Sequence, residues 1–456
     1  MKKRFVLLGI LLIFALGAVI FIAGCSEESD NVSGRTVITV WSGQAGSKAA
    51  YTRLIDEWNR TQGKEKGIYI RYEVFASTEY NQKLFAAMKN KTTPEIFRVP
   101  GSKRSYAEEG QIVPIESFPG GKDFIEGYGE PLLEGREQFS GKTYFVNGEV
   151  TTYALIYNKD MFRKYKIVDA SGEPKVPQTM SEYTETARKL THPEDGCYGI
   201  GLPIKTTTFA GPMFYGPFSS CIPLRVNYDE GTRDFTAYRK AFEWLGKIRE
   251  EKSYFPGAEI LDNDMMRSQF AAGRIGMFIG ASWDVGVLTD QFPTECDWGV
   301  APMPLVDGYE RVASTASATS GFCIGPKALK GDRKKVMEVF SFLHSPELQR
   351  KLYEAGAAIP RVPQVMKGAD LSNTPPQWAG FASQYTEIPP RYEIPDISSR
   401  PVDMKECIDS VWTEEKTVDE VIKAYEDAFR TNFIKAVDNG TLDVEKAKEI
   451  QKNHRE

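Results

Sequence analysis

Between residues 37 and 99 the apolar positions change period several times. Val37-Ile38-Thr39-Val40-Trp41 is a β-branched run stopped by Ser42-Gly43, which predicts a strand and a turn. Over 47–61 the apolar residues Ala50, Leu54, Ile55 and Trp58 fall on one helical face. A second strand pattern covers 67–75. A second helix covers 79–90, with Tyr80, Leu84, Phe85 and Met88 on its apolar face, and a third strand covers 95–99. Strands alternating with helices predict a βαβ parallel sheet, hence an α/β fold. Ligands in such sheets collect beyond the C-terminal ends of the strands, here Trp41 to Gln44, Ala76 to Thr78 and Arg98 to Pro100.

The pattern continues with a strand over 152–157, a helix over 265–272, a strand over 275–279 ending in the turn Gly280-Ala-Ser-Trp-Asp284, and an extended stretch over 297–301. Helices are expected over 334–343, 346–354 and 417–434. Between them, 196–224 is rich in Gly, Pro, Thr and aromatic residues. A loop that long in a compact protein is usually functional, and its aromatics argue that it is packed. No short tandem repeat is present. The body of the chain is too long for one hydrophobic core, so two domains are expected.

The first residues differ from the rest. Met1-Lys-Lys-Arg4 is basic, and 5–22 is an apolar run, the layout of an export signal. Ile22-Ala-Gly-Cys25 resembles the lipobox of bacterial lipoproteins. That resemblance implies a signal peptide over 1–24, lipid on Cys25, and a polar tether over 25–35. The competing reading is an uncleaved membrane anchor, since the run is close to the roughly 20 residues that span a bilayer. Both tether the body to a membrane on its extracytoplasmic side, cell-surface or periplasmic. No second long apolar segment follows. Losing Lys2, Lys3 and Arg4 takes the formal charge from −5 to −8. No basic cluster interleaved with aromatics invites nucleic acid. Beyond Cys25 there are five cysteines, at 197, 221, 296, 323 and 407. Cys197 and Cys221 are the candidate disulfide by proximity, against five buried thiols acting as small hydrophobes. With no CxxC and three scattered histidines, neither a metal site nor a cofactor is expected.

Several blocks then occur in a familiar order. Tyr80-Asn-Gln-Lys-Leu-Phe-Ala-Ala-Met88 precedes Thr93-Pro-Glu-Ile-Phe97, and Glu109-Gly-Gln-Ile-Val-Pro-Ile115 follows. Leu155-Ile-Tyr-Asn-Lys-Asp-Met-Phe162, Phe270-Ala-Ala-Gly-Arg-Ile-Gly-Met-Phe-Ile-Gly280 with Trp283, Leu343-His-Ser-Pro-Glu-Leu-Gln349 and Thr417-Val-Asp-Glu-Val421 complete the set. Together they resemble the sugar-binding family of ABC-importer solute-binding proteins, which includes maltodextrin-binding proteins, from about residue 37 to 432. The chain departs from the family at Thr93-Pro94-Glu95, at Thr179-Met-Ser-Glu-Tyr183, which lacks a tryptophan, and at Asn147-Gly148-Glu149, where many members carry proline. The resemblance implies two α/β lobes of the periplasmic-binding-protein type, 36–147 with 303–345 and 148–302 with 346–456. It also implies a monomer that closes on a carbohydrate and delivers it to ABC permease subunits.

Sugar recognition needs flat aromatic faces against C–H surfaces and charge-assisted hydrogen bonds to hydroxyls. At the strand ends the candidates are Trp41, Ser42, Gln44, Thr78, Glu79 and Arg98. Trp283 and Asp284 lie on the turn that matches the family, Phe214 and Tyr215 in the aromatic loop, Glu149 at the proline-lacking departure, and Arg361 after Ile359-Pro360. Each has a plainer reading as a packing ring, helix cap or surface charge. Glu79 with Asp284 could form the carboxylate pair of a glycoside hydrolase, but a chance pair is expected among 62 acidic residues. No GxSxG, HExxH, P-loop or Rossmann fingerprint is present, so a binding protein is favoured over an enzyme. A ligand sensor signalling to a membrane partner is the alternative.

Overall fold

The computed structural model describes residues 32–100, 103–129, 132, 137–223, 225–312, 316–318, 321–385, 402–440 and 442–453. The expected signal peptide, Cys25 and most of the tether lie outside the described residues, as does the side chain of Thr78. Among the described residues no helix is long and apolar enough to cross a membrane. The chain divides into two compact units. One runs to residue 148 and adds 320–352; the other comprises 149–319 and 353–456.

In the first unit Thr36–Ser42 lies between two parallel neighbours, Ile68–Val74 and Ile96–Arg98. Phe322–Ile324 joins the sheet antiparallel to Ile96–Arg98. The helix Lys48–Arg60 buries Tyr51, Leu54, Ile55 and Trp58, each worth roughly 1.5–3 kcal/mol before ordering costs. Asn59 locks it to the sheet: its amide donates to the Ile70 carbonyl at 2.9 Å and accepts from the Ile70 N–H at 2.8 Å.

The parallel arrangement expected over 37–99 does not extend to the second unit, whose main sheet is mixed. Its four-stranded sheet runs Trp298–Ala301, Tyr153–Asn158, Ile275–Ala281, Tyr198–Ile200. Tyr153–Asn158 is antiparallel to both of its neighbours, and only Tyr198–Ile200 runs parallel to Ile275–Ala281. Alternation splits the central strands between two cores. Tyr153, Leu155, Met277 and Ile279 face one cluster, and Ala154, Ile156 and Phe278 face the other. Ile275–Ala281 is therefore buried at every position, as expected of a strand covered on both faces. A small antiparallel sheet sets Glu149–Thr151 between Ser317–Ala318 and Ile359–Pro360.

The boundaries also differ from the expected 303 and 345. Residues 303–312 belong to the second unit because Met180 and Leu305 are tied through Gln178 and Leu305 carbonyls, and Arg311 donates to Ser220 Oγ at 2.8 Å. The helix Pro346–Glu354 starts in the first unit, where Lys351 pairs with Glu57 at 3.1 Å. The aromatic segment over 196–224 is packed, with Phe209, Phe214 and Phe218 in the core. Cys197 and Cys221 form no disulfide, and all five cysteines beyond Cys25 are free thiols. Cys197 Sγ points to the carbonyls of Asp195 and Gly273, whereas Cys221 Sγ lies beside Ser220 Oγ.

Candidate functional site

Each unit carries one aromatic cluster at the strand ends where ligands were expected. In the second unit Ile275–Ala281 runs into a turn that places Trp283 edge-on to Tyr153, with ring centroids 5.9 Å apart and planes at 85°. Tyr153 pairs in register with Ala281, so the two rings meet at the end of the two central strands. Trp283 keeps 36% of its surface exposed, while the turn beneath it is rigid. Asp284 is buried; its Oδ2 accepts the Ala281 N–H at 2.7 Å, and its Oδ1 takes Arg267 Nε at 2.7 Å and Nη2 at 2.6 Å. Arg267 also pairs with Asp264 at 2.8 Å. Desolvation works against the buried guanidinium's charge, but Asp284 and Asp264 outweigh it and its pKa ends up raised. Gly280 completes the turn, because a Cβ there would sit 2.4 Å from Ile156 Cδ1 and 2.8 Å from Asp284 Oδ2.

Asp284, expected to face ligand, instead has both oxygens committed to holding the Trp283 turn. Phe214 is likewise a core ring, 1% exposed between Phe209 and Phe242. Tyr215 is half-buried and leans on Tyr238, 4.3 Å away between centroids, so it belongs to a separate aromatic group. Glu149 is buried and pairs in register with Pro360, which sets Arg361 one residue beyond it along the small sheet. Arg361 is half-buried, and its carbonyl accepts the Tyr385 hydroxyl.

In the first unit the half-buried Trp41 stands edge-on to Phe75 at 5.6 Å. Lys83 Nζ lies 4.8 Å from the Trp41 ring centre and 3.8 Å from that of Phe75, a cation–π arrangement. Tyr80 holds this corner, its hydroxyl donating to the Arg98 carbonyl and its ring filling the space beside Gly43. Ser42 is fully buried, its Oγ accepting the Gln44 N–H at 3.2 Å. Gln44 is half-buried before a short 3-10 turn. Glu79 is exposed in the first turn of Ser77–Asn90, where a carboxylate suits the helix dipole. Arg98, expected to grip ligand, is 3% exposed; it stacks on Phe322 at 4.0 Å and donates to Tyr51 Oη at 3.0 Å.

Of the sequence candidates, Trp283 and Trp41 present half-open aromatic faces, Glu149 and Arg361 are placed together, and Asp284 and Arg98 support from below. Tyr153, Phe75 and Lys83 were missed. The signal for Tyr153 was its place at the start of the strand that pairs with the one before the Trp283 turn. Among the described residues no group of His, Cys, Asp and Glu could hold a metal ion.

A family model described as bacterial extracellular solute-binding protein matches residues 54–382. An arabinooligosaccharide-binding protein of Bacillus subtilis is 25% identical over 37% of this chain, and the match spans only 38% of that protein's length. The sn-glycerol-3-phosphate-binding periplasmic protein of Rhizobium meliloti is 23% identical over 71% of this chain and 75% of its own. Among solved structures, an ABC transporter solute-binding protein of Thermotoga lettingae bound with α-D-tagatose has a TM-score of 0.66 at 20% identity, covering 87% of this chain and all of that one. The GacH receptor of Streptomyces glaucescens, solved unliganded and with acarbose, has a TM-score of 0.66 at 18% identity, covering 88% and 98%. At these identities the structures establish the fold, that of the two-lobed solute-binding proteins.

Proposed function

We propose, from the premise that this chain belongs to the bacterial extracellular solute-binding protein family, that it captures a carbohydrate by hinge closure and delivers it to an ABC permease. In this reading it is held at the membrane by lipid on Cys25, has no catalytic activity of its own and works as a monomer. The observation that carries the carbohydrate reading is Trp283: a flat ring one-third open, braced by Tyr153 and fixed from beneath by a buried ion pair. A pyranose presents C–H faces that such a rigid ring covers at little cost in side-chain freedom. The ligands named for the Bacillus, Thermotoga and Streptomyces proteins are consistent with it. The Rhizobium relative, matched over a larger share of the chain, supports a second reading in which the ligand is a phosphorylated polyol, with Arg361 supplying the charge.

Binding only drives closure if the closed state holds ligand more tightly than the open one. A thermal-shift screen over mono- and oligosaccharides and sugar phosphates tests this, since a ligand at about 100 times its Kd stabilises by about 2.7 kcal/mol. Trp283→Ala should weaken binding of the best hit at least tenfold without lowering the unliganded melting temperature. Unchanged affinity would refute the role given to Trp283. Turnover of the sugar by purified protein would refute the binding-protein reading.

A further inference from the structure

In the second unit, away from the Trp283 turn, the hairpin of Val226–Asn227 and Thr232–Arg233 faces the helix Val444–Asn453 across an open groove of about 710 Å³. The helix is fixed there by Gln451, whose amide donates to the Val226 carbonyl at 3.0 Å and accepts its N–H at 3.1 Å. The volume is in the range of small-molecule sites.

The groove is positively charged in an acidic protein of net charge −5. Arg225, Arg233, Lys448 and Lys452 line it, against Asp229 and Asp234. Asp229 is ion-paired and Asp234 keeps its charge, so the lining carries two more cations than anions. Asp229 pairs with Lys448 at 2.6 Å, and Asp234 accepts the Thr236 N–H at 2.8 Å. Arg225, Arg233 and Lys452 have no ion-pair partner among the described residues. Arg233 is also held in place: its guanidinium lies 5.3 Å from the Phe235 ring centre, 5.7 Å from Tyr238 and 6.0 Å from Phe429. Its Nε is buried without an acceptor. A guanidinium set among three aromatic rings, with two further cations on the same groove, matches an oxyanion carrying more than one charge.

We propose that this groove is a second binding site, for a phosphate group. A soluble phosphate compound and the headgroup of an anionic phospholipid share that chemistry. The site is independent of the carbohydrate reading, since it uses none of the residues around Trp283.

The test uses the full chain. Sodium pyrophosphate is titrated by calorimetry at low salt, and co-sedimentation is measured with phosphatidylglycerol vesicles against phosphatidylcholine vesicles. Whatever the N-terminal apolar residues add to vesicle binding is common to parent and variant. The R225Q/K452Q variant changes only exposed side chains and should weaken binding of the responding probe at least tenfold; R233Q should do so more strongly. Binding of pyrophosphate alone assigns the site to a soluble phosphate, and a preference for phosphatidylglycerol assigns it to a headgroup. The proposal is overturned if neither probe binds below about 1 mM, where even 1 mM corresponds to only about 4 kcal/mol, or if R225Q/K452Q binds like the parent. It is equally overturned if Trp283→Ala, rather than the groove variants, removes the binding.

Discussion

Asp284→Ala tests whether the Trp283 turn is held from beneath. The substitution strands Arg267, whose side chain is 9% exposed, and removes the acceptor of the Ala281 N–H. Breaking a buried ion pair by deleting one partner costs about 3–5 kcal/mol, and an orphaned buried N–H adds about 1 kcal/mol or more. Arg267 keeps Asp264 at 2.8 Å, so the lower end applies to the ion pair, and with the orphaned N–H the total is about 4 kcal/mol. At about 2 °C per kcal/mol for a unit this large, the melting temperature should fall by about 8 °C. Urea unfolding followed by far-ultraviolet circular dichroism reads the loss, and tryptophan fluorescence reads the loosened turn. Adding Arg267→Met to Asp284→Ala removes the stranded charge and should recover about 1–2 kcal/mol, a coupling that a double-mutant cycle isolates. A single variant within about 0.5 kcal/mol of the parent, the range of an ordinary surface change, would refute the account of the turn.

Three further outcomes are expected. The denatured chain should titrate five thiols beyond Cys25; three would restore a Cys197–Cys221 bridge. In the native protein Cys323, fully buried with its pKa pushed up to about 12 by desolvation, should resist alkylation at pH 8. Asp297 gives a pH dependence: burial alone would raise its pKa, but Arg163 at 2.8 Å and Lys159 at 3.0 Å outweigh that and hold it below the usual range. A depressed carboxylate stabilises above the ordinary value of about 3.9 and loses that contribution as pH falls through the folded pKa. The gap in urea midpoint between the parent and Asp297→Asn should therefore narrow progressively as pH falls below about 4, and a gap constant with pH would contradict the pairing.

Periodicity located most of the elements because burial is what periodicity records. The helices expected over 47–61 and 79–90 are found at Lys48–Arg60 and Ser77–Asn90, and the strand over 67–75 at Ile68–Val74. Strand direction in the second unit was not legible, since Tyr153–Asn158 and Ile275–Ala281 are buried on both faces and read as apolar runs whichever way they pair. The site was legible as positions and less so as roles. Trp283 and Asp284 are adjacent in sequence, but only the fold shows that one faces outward and the other locks inward. Arg98 read as an open cation because nothing local announces Tyr51 and Phe322, which enclose it from far along the chain. The disulfide expectation rested on sequence proximity, which says nothing about Cβ directions.

The strand Phe322–Ile324 completes the first unit's sheet by pairing with Ile96–Arg98, more than two hundred residues earlier. The N-terminal portion therefore cannot finish its core while it is being made. At about 5–20 residues per second, synthesis leaves the Ile96–Arg98 edge unpaired for about ten seconds or longer. An exposed strand edge is an aggregation hazard in a crowded compartment. On the reading that residues 1–24 are an export signal, the same delay keeps the chain threadable, with folding completed only after the later segment has crossed.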